Sequence, residues 1–311
     1  MYESRFGCAE PPFALVPDPR YFFPSRGHRE ALDHLLYGIR RGEGFVVVTG
    51  EVGIGKTTLC RTLLRRLEAD VQTAVIFNPS KSEEELLQAI LDDLGVASPP
   101  AATRKGLLDA LNVHLMASRA AGKRTVLIVD EAQHLSSTVL EQIRLLSNLE
   151  TDRAKLLQII LVGQVELSAK LSQRNLRQLN QRVSVRYRMT ALRPQETRAY
   201  IQHRLSLAGA RRHDLFTPAA LRLVHARAGG IPRVINLICD RGLVAMDTRR
   251  LKRVDRATVL LALQSLYPRW DPVRRTMAGS EGLWRVAAVV AAGLAVAGAA
   301  ASTVIGTGVL P

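Results

Sequence analysis

The chain has 311 residues, of which 47% are hydrophobic and 23% are charged, and its formal net charge is +15. This composition is that of a globular protein and excludes a disordered chain, a collagen-like chain and a polytopic membrane protein. Its three cysteines, Cys8, Cys60 and Cys239, form no CxxC pair, so neither a disulfide framework nor a zinc cluster is expected.

Residues 1–25 contain Pro11, Pro12, Pro17 and Pro19 and have no apolar core run, which predicts an irregular segment and no signal peptide. From residue 26 to residue 193, helix-like stretches alternate with short β-branched runs, a pattern typical of an α/β domain with a parallel sheet. Most of the runs are apolar on both faces, as expected of strands that helices cover on both sides. The predicted strands are Phe45–Thr49, Thr73–Phe77, Thr125–Asp130, Gln158–Gly163 and Ser184–Met189.

Local signals place several helices. An i, i+3, i+4, i+7 pattern from Leu32 to Ile39 predicts a helix that stops at Gly42. Ser82 with Glu85 predicts a capping box before a helix between the second and third strands. From residue 194 to residue 265 no strand pattern occurs, and the pair Thr217–Pro218 is typical of a helix start. A small all-helical lid domain is therefore predicted there.

The last segments differ from the rest. Residues 266–285 form a basic linker, and no charged residue follows Arg285. Residues 286–305 are apolar over about the 20 positions that a transmembrane helix needs. The arginines before this stretch predict, by the positive-inside rule, that the body of the protein is cytoplasmic. Alternative interpretations of 286–305 are a buried terminal helix or a disordered tail, and residues 306–311 are a short tail.

The strongest motif follows the first predicted strand and precedes a helix, which is the context that a Walker A loop requires. Glycines let backbone N–H groups approach the phosphates of ATP, Lys56 reaches the β and γ phosphates, and the Thr57 hydroxyl binds Mg²⁺. The predicted nucleotide-binding residues are Gly50, Glu51, Val52, Gly53, Ile54, Gly55, Lys56, Thr57 and Thr58.

A second motif is the apolar run Val126–Val129 followed by Asp130 and Glu131, which is a Walker B arrangement. Asp130 is predicted to hold Mg²⁺ through water, and Glu131 to deprotonate the water that attacks the γ phosphate. The alternative is a charged helix start without catalytic function. A catalytic glutamate beside the aspartate favours the ATPases that insert an extra strand between the two Walker strands.

Three further residues are predicted to act on the γ phosphate. Gln164 follows the fourth strand and is interpreted as sensor 1, although a loop glutamine without a role is the alternative. Arg182 is the candidate for an arginine that acts in trans in a ring of subunits, with Arg177 or a plain surface pair as alternatives. Arg233 begins a helix of the lid and is interpreted as sensor 2, against a solvated arginine. The seven histidines form no metal-binding spacing.

Further motifs are spread over about residues 1–265. They are Pro12–Pro19, His28, Glu30–Leu32, Tyr37–Ile39, Thr49–Thr58, Ile143–Thr151, Leu161–Gln164, Leu176–Leu179, Gln181–Arg182 and Gly230–Arg241. Together they resemble a known family, the ExeA type of AAA+ ATPase, also called general secretion pathway protein A. The resemblance implies a bacterial inner-membrane, single-pass protein with a cytoplasmic AAA+ domain. It also implies a periplasmic peptidoglycan-binding domain and a membrane partner with which the protein assembles the secretin.

Three hypotheses for the function follow. The first is a ring-forming ATPase that drives assembly or remodelling of a secretion, pilus or exopolysaccharide machine at the inner membrane, together with an envelope-assembly partner protein. The second is an ATP-switched DNA-binding regulator of the transposition-helper type, and the third is a membrane scaffold that hydrolyses ATP slowly. Residues 174–256 carry 19 basic and 5 acidic residues, which predicts binding to anionic lipid and non-specific binding to nucleic acid.

Overall fold

The computed structural model describes residues 3–16, 18–77, 79, 82–97, 103–151 and 154–266. The chain divides into two compact units, residues 1–262 and residues 263–311. The sheet, the helices that flank it and the sites built on them all belong to the first unit.

Strands of this part of the chain form one large sheet and one small hairpin. The described strands are β1 (Phe45–Thr49), β2 (Val71–Ile76), β3 (Arg124–Val129), β4 (Glu150–Thr151), β5 (Ala154–Lys155), β6 (Leu157–Gly163) and β7 (Val185–Arg188). Five of them form a parallel sheet in the order β2-β3-β6-β1-β7, while β4 pairs antiparallel with β5. The predicted parallel five-stranded sheet is thus confirmed. The order also places β6 between β1 and β3, where the Walker motifs predicted an extra strand.

The three central strands are buried along their whole length, apart from the first residue of β3, because helices cover both faces of the sheet. Their side chains alternate between two apolar clusters. One contains Val47, Leu127 and Ile159 with residues of the helices between β2 and β7, and the other contains Val48, Ile128 and Ile160 with residues of the helices around β1. The edge strand β7 alternates between half-buried and exposed residues, since only one of its faces is covered.

Helices make up most of the remaining structure. The described helices are α1 (Glu3–Phe6), α2 (Arg26–Arg41), α3 (Lys56–Leu64), α4 (Glu83–Asp93), α5 (Arg104–Ala120), α6 (Ser137–Leu146), α7 (Val165–Leu171), α8 (Arg177–Arg182), α9 (Pro194–Leu207), α10 (Pro218–Ala228), α11 (Pro232–Thr248) and α12 (Arg256–Leu266). From Pro194 onward the described chain consists of helices and the loops that join them, and its only strand-like pairing is a bridge between Phe216 and Val254.

The predicted helix signals agree with these bounds. Gly42 caps α2 in the left-handed conformation, with φ of 75°. Ser82 and Glu85 form both hydrogen bonds of a capping box at the start of α4, and the Thr217 side chain accepts the N–H of Ala220 at the start of α10. Capping is local chemistry, so a sequence motif is sufficient to place it.

Other expectations need correction. Two helices, α4 and α5, join β2 to β3 where one was predicted, and the β4–β5 hairpin was not predicted. The N-terminal segment includes two one-turn helices, α1 and the 3₁₀ turn Pro19–Tyr21, where an irregular segment was expected. None of the described helices is both long and apolar enough to cross a membrane, and the predicted span 286–305 lies outside the described residues.

Candidate nucleotide-binding site

Three polar segments meet at the carboxyl edge of the sheet. In the parallel register, Thr49 of β1 lies beside Gly163 of β6, and Val129 of β3 lies beside Leu161 of β6. The loops that follow these strands therefore leave the sheet side by side. Ligands of open α/β sheets bind at this edge, and this is where the two Walker motifs and Gln164 converge.

The loop after β1 is shaped by glycines with left-handed backbone. Gly53 has φ of 77° and Gly55 has φ of 109°, conformations that side chains rarely adopt. A Cβ on Gly55 would lie 2.7 Å from Nε2 of His28, and one on Gly53 would lie 2.5 Å from the Cβ of Arg233. Gly55 also caps α3 without a side-chain hydrogen bond, which leaves backbone N–H groups of the first turn for an anion.

Lys56 lies at the start of α3 and is only 5% exposed. Its Nζ donates to the backbone carbonyls of Gly50 at 3.0 Å and Glu51 at 3.2 Å. Burial lowers the pKa of Lys56, and the carboxylates of Glu131 and Asp130 oppose this effect. The ammonium is thus held at the loop by neutral acceptors that phosphate oxygens can replace.

Thr57 and Asp130 join the two Walker motifs directly. The Thr57 hydroxyl donates to Oδ2 of Asp130 at 2.7 Å, while Oδ1 accepts the N–H of Glu131 at 2.9 Å. Asp130 is 1% exposed, and burial raises its pKa against the opposing effect of these two hydrogen bonds. A hydroxyl and a carboxylate are hard oxygen ligands of the kind Mg²⁺ binds, so the pair fits the predicted metal.

Glu131 is held by two glutamines. Nε2 of Gln133 donates to Oε2 of Glu131 at 2.6 Å, and Nε2 of Gln164 lies 3.5 Å from the same oxygen. Partial burial raises the pKa of Glu131, but the hydrogen bonds from these two amides and the charge of Lys56 outweigh it and lower the pKa overall. The backbone of Glu131 is left-handed, with φ of 52°, a conformation that a residue with a side chain adopts at a cost of about 1–3 kcal/mol.

Gln133 was missed by the sequence analysis. Besides holding Glu131, its Oε1 accepts the backbone N–H of Gln164 at 2.9 Å and thereby joins the loops after β3 and β6. The Gln133 side chain can lie this close to the β6 backbone only because residue 163 is glycine. A Cβ at this position would lie 2.8 Å from Oε1 of Gln133. The only signal in the sequence was a glutamine two residues after the acidic pair.

A cleft of about 190 Å³ lies over the loop. Of the predicted site residues, it is lined by Val52, Gly53, Gly55, Lys56, Thr57, Thr58, Glu131, Gln164 and Arg233. Ile54 points into the core and is 1% exposed, whereas Glu51 lies 3.6 Å from the guanidinium of Arg188. Gly50 contributes its carbonyl to Lys56 and does not line the cleft.

Arg233 approaches the loop from the second residue of α11. Its backbone N–H donates to the carbonyl of Gly53 at 3.1 Å, which fixes the start of α11 against the loop. Its side chain is exposed on the wall of the cleft. This position fits the sensor 2 interpretation.

The sequence analysis did not find the other wall of the cleft. It consists of Ala14, Leu15 and Val16 of the N-terminal segment, Tyr200 and Arg204 of α9, and Asn236 of α11. Arg204 is 6% exposed and ties these parts together, because it donates to the carbonyls of Pro12 at 2.5 Å and Ala14 at 3.2 Å. Its guanidinium also lies 4.4 Å from the ring centre of Tyr21. A buried arginine cannot be told from a surface arginine by sequence pattern.

Arg182 lies away from this cleft. Its Nη1 donates to the hydroxyl of Ser147 at 2.6 Å, just beyond the end of α6, and the residue is exposed. Arg177, the alternative, is also exposed, and its side chain forms no hydrogen bond or ion pair within the described part of the chain. Neither arginine contributes to the nucleotide cleft of its own chain.

Comparisons with known proteins agree with this geometry. Residues 39–171 match the family described as AAA domain. The chain is 50% identical over 262 residues to general secretion pathway protein A of Aeromonas hydrophila, which is 84% of this chain and 48% of that protein. It is 31% identical over 133 residues to ATP-dependent target DNA activator B of Escherichia phage Mu, which is 43% of this chain and 40% of that protein. The chain thus spans about half the length, or less, of the curated relatives it matches.

The fold is similar to that of solved structures. The Aeropyrum pernix ORC2 protein, solved in ADPNP and ADP complexes, matches with a TM-score of 0.60 at 18% identity. The match covers 81% of this chain and 71% of ORC2. The chain therefore contains an AAA domain of the P-loop NTPase superfamily, and its resemblance to general secretion pathway protein A is confirmed.

Proposed function

We propose that the protein is a Mg²⁺-dependent ATPase whose hydrolysis drives assembly or remodelling of a cell-envelope machine. The observation that carries the proposal is the Glu131 carboxylate, held by Gln133 and Gln164 next to the Thr57–Asp130 pair and the glycine loop. A simple nucleotide-binding loop would need no such carboxylate.

The contacts of each residue support a specific proposed role. Lys56 and the N–H groups of the loop bind the phosphates of ATP, while Thr57 and Asp130 would hold Mg²⁺. When bound, the metal stabilises negative charge on the phosphate oxygens. Glu131 stays ionised because its pKa is lowered, so it can accept the proton of an attacking water. Gln164 orients that water, and Arg233 contacts the phosphates from the lid.

Two substitutions test this assignment. Glu131→Gln keeps the shape and the acceptor oxygen but cannot take a proton, so we expect ATP binding within about threefold of wild type and hydrolysis lowered by about 10²–10⁴. The Lys56→Ala variant should not bind nucleotide at all. ATPase assays and binding of a fluorescent ATP analogue measure both effects. Unchanged turnover in Glu131→Gln would rule out this residue as the base.

We propose further that Arg182 acts on the nucleotide of a neighbouring subunit in a ring. Arg182 is exposed and does not line the cleft of its own chain, which supports this role. Arg182→Ala should be inactive alone, and mixing it with Glu131→Gln should restore turnover at interfaces that combine an intact Glu131 with an intact Arg182. Arg177→Ala is the control and should retain activity. Mixtures that stay inactive at concentrations where rings form would count against action in trans.

The cellular setting is proposed from the relative and from the sequence. General secretion pathway protein A is the most extensive match reported above, so we propose a role in a secretion, pilus or exopolysaccharide machine, with an envelope protein as partner. We propose that residues 286–305 anchor the protein in the bacterial inner membrane with the ATPase domain in the cytoplasm. The full chain should then resist alkaline extraction from membranes, whereas a chain ending at Gly282 should not.

A second candidate function is an ATP-switched DNA-binding regulator. The match to the phage Mu activator supports it, as do two adjoining loops, 208–217 and 249–255, that the Phe216–Val254 bridge holds together. Their exposed basic residues are Arg211, Arg212, Arg249, Arg250, Lys252 and Arg253, and Asp214 pairs with two of them. On the ATPase proposal these loops bind anionic vesicles, and duplex DNA only non-specifically. Sequence-selective DNA binding at about 200 mM salt would favour the regulator.

A further inference from the structure

A second cavity lies at the amino edge of the sheet, opposite the nucleotide cleft. It measures about 300 Å³ and is built from the ends of α2 and α5, the start of β3, and the residues around the start of β6. No acidic residue is among those that line it in the described chain. The lining includes six basic residues, Arg40, Arg41, Arg119, Lys123, Arg124 and Lys155. This cavity lies in the part of the chain whose overall charge is balanced, so composition gave no sign of it.

Only half of these cations are neutralised. Arg41, Arg119 and Lys123 have no carboxylate partner among the described residues, although Arg41 lies 6.0 Å from the ring centre of Tyr37. The other three pair with carboxylates outside the lining: Arg40 with Glu68 at 3.2 Å, Arg124 with Glu68 at 2.8 Å and Asp70 at 2.9 Å, and Lys155 with Glu150 at 2.8 Å. The lining of the cavity therefore carries a net positive charge, and three of its cations have no carboxylate partner among the described residues.

Helix ends alone do not account for these cations. A helix C-terminus attracts positive side chains, because its last carbonyls are unsatisfied. At the end of α2, however, the carbonyl of Gly38 accepts from Nε2 of Gln158 at 3.2 Å, and that of Ile39 accepts from Nη1 of Arg124 at 3.4 Å. These two carbonyls thus have donors from within the fold, and the side chains of Arg41, Arg119 and Lys123 are not needed to satisfy them.

The shape of the site indicates the ligand. Several cations from four segments converge on a concave space, which suits a compact anion with several oxygens, whereas a duplex needs an extended track along its backbone. We propose that this cavity binds a phosphate ester, either as the headgroup of an acidic phospholipid or as a small phosphorylated metabolite. Arg119 and Lys123 have no carboxylate partner among the described residues, so their positive charges are expected to bind the phosphate group.

The site is separate from the ATPase site. Arg124 begins β3 and Asp130 follows its end, so about six residues of strand, roughly 20 Å, lie between the two. Phosphate esters should therefore bind when the nucleotide cleft is already filled. This independence makes the inference testable whether or not the proposed ATPase function is correct.

The experiment uses the full chain in a neutral detergent at about 50 mM salt, saturated with Mg²⁺ and the non-hydrolysable analogue AMP-PNP. The probes are glycerol 3-phosphate and dihexanoyl phosphatidic acid, with dihexanoyl phosphatidylcholine as the zwitterionic control, and calorimetry measures binding. Arg119→Gln with Lys123→Gln should weaken binding of the phosphate esters by about 30-fold, which is about 2 kcal/mol. The matched control, Arg29→Gln with Lys105→Gln, changes two exposed cations near the starts of α2 and α5, at the other ends of these helices from the cavity, and should leave the affinity within about twofold.

The outcomes separate the sources of the phosphate group. Binding of glycerol 3-phosphate as tightly as phosphatidic acid indicates a phosphorylated metabolite, whereas binding of phosphatidic acid alone, or much more tightly, indicates a lipid headgroup. The proposal is overturned if neither ester binds, if both double variants lose binding equally, or if the Arg119/Lys123 variant binds normally. It is also overturned if a 20-base-pair duplex displaces the esters from this site, because the ligand would then be nucleic acid. AMP-PNP binding by the variants serves as the check on folding.

Discussion

The side-chain oxygen of Gln133 accepts the backbone N–H of Gln164 at 2.9 Å, across the gap between the loops that follow β3 and β6. The amide nitrogen of the same Gln133 donates to Glu131 at 2.6 Å. One glutamine therefore sets the distance between the proposed base and the proposed sensor. Lys170 fixes the Gln133 backbone in turn, because its Nζ donates to the Gln133 carbonyl at 3.1 Å.

The first prediction concerns Gln133→Ala. Without this side chain, Glu131 and Gln164 are no longer held together, so kcat should fall about 10- to 100-fold while KM changes less than about threefold. Removing a hydrogen bond to the Glu131 carboxylate should also raise the pKa of Glu131. Since the base must be ionised, the acid limb of the kcat profile should move to higher pH.

Gln173→Ala is the control for this prediction, because Gln173 is an exposed glutamine in the turn after α7. It should match wild type in rate and in pH profile. A purely structural role for Gln133 would lower the protein's stability without shifting the acid limb. An unmoved limb, or a parallel rise in KM, would contradict the positioning role.

The second prediction concerns Thr57 and the metal. Thr57→Ala removes a hydroxyl ligand of the metal. It also removes the hydrogen bond that lowers the pKa of Asp130 against the effect of burial, so the pKa of Asp130 should rise further. We expect the affinity for ATP in the presence of Mg²⁺ to fall at least about tenfold, towards the value without Mg²⁺. Thr57→Ser keeps the hydroxyl and should stay near wild type. Titrations with and without Mg²⁺ measure the difference, and equal Mg²⁺ dependence in both variants would contradict the assignment.

Much of this site could be predicted from the sequence, because its main parts are local. The Walker A loop, the Asp130–Glu131 pair and Gln164 each follow a strand, and strand order in a parallel sheet brings such ends together. Gln133 and Arg204 could not be predicted, since their roles depend on contacts between distant segments. The cavity around Arg119 and Lys123 was missed for the same reason: its cations come from four segments that the sheet brings together.

The third prediction compares two adjacent glycines between α10 and α11. Both have left-handed backbone, with φ of 60° for Gly229 and 75° for Gly230. A Cβ on Gly229 meets nothing within 4 Å, whereas a Cβ on Gly230 would lie 2.1 Å from the backbone oxygen of Leu192. Gly229→Ala should therefore lower the free energy of unfolding by about 1 kcal/mol, from backbone strain alone. Gly230→Ala should lower it by about 2–4 kcal/mol, because the backbone of Leu192 must also move.

Urea denaturation of the two variants under identical conditions measures this difference. Gly230→Ala should also weaken ATP binding, since Gly230 precedes the helix start that places Arg233 against Gly53. Gly229→Ala should not. Equal losses of stability in the two variants would contradict the prediction. They would mean that the Leu192 backbone moves away from the new Cβ without lowering the free energy of unfolding.

The last prediction concerns His28, which links the N-terminal segment to the nucleotide loop. Its Nδ1 lies 2.7 Å from the Ser25 hydroxyl, and its ring packs edge-on against Phe22 with 5.6 Å between ring centres. Burial lowers the pKa of His28 to about 4, and a backbone hydrogen bond with Ile54 and the charge of Glu196 only partly oppose this. The imidazole is therefore neutral in the folded protein at pH 7.

This lowered pKa makes stability depend on pH in a defined window. In the unfolded chain the His28 pKa is about 6.5, so the unfolded state takes up a proton first as the pH falls. The stabilisation by neutral His28 is complete above about pH 6.5 and is lost progressively towards pH 4, by about 3 kcal/mol in all. Urea midpoints between pH 7.5 and 4 should show this loss, and it should be smaller in His28→Gln. His213→Gln, at an exposed position, should keep the wild-type slope. An NMR titration that finds the folded His28 protonating near pH 6.5 would refute the prediction.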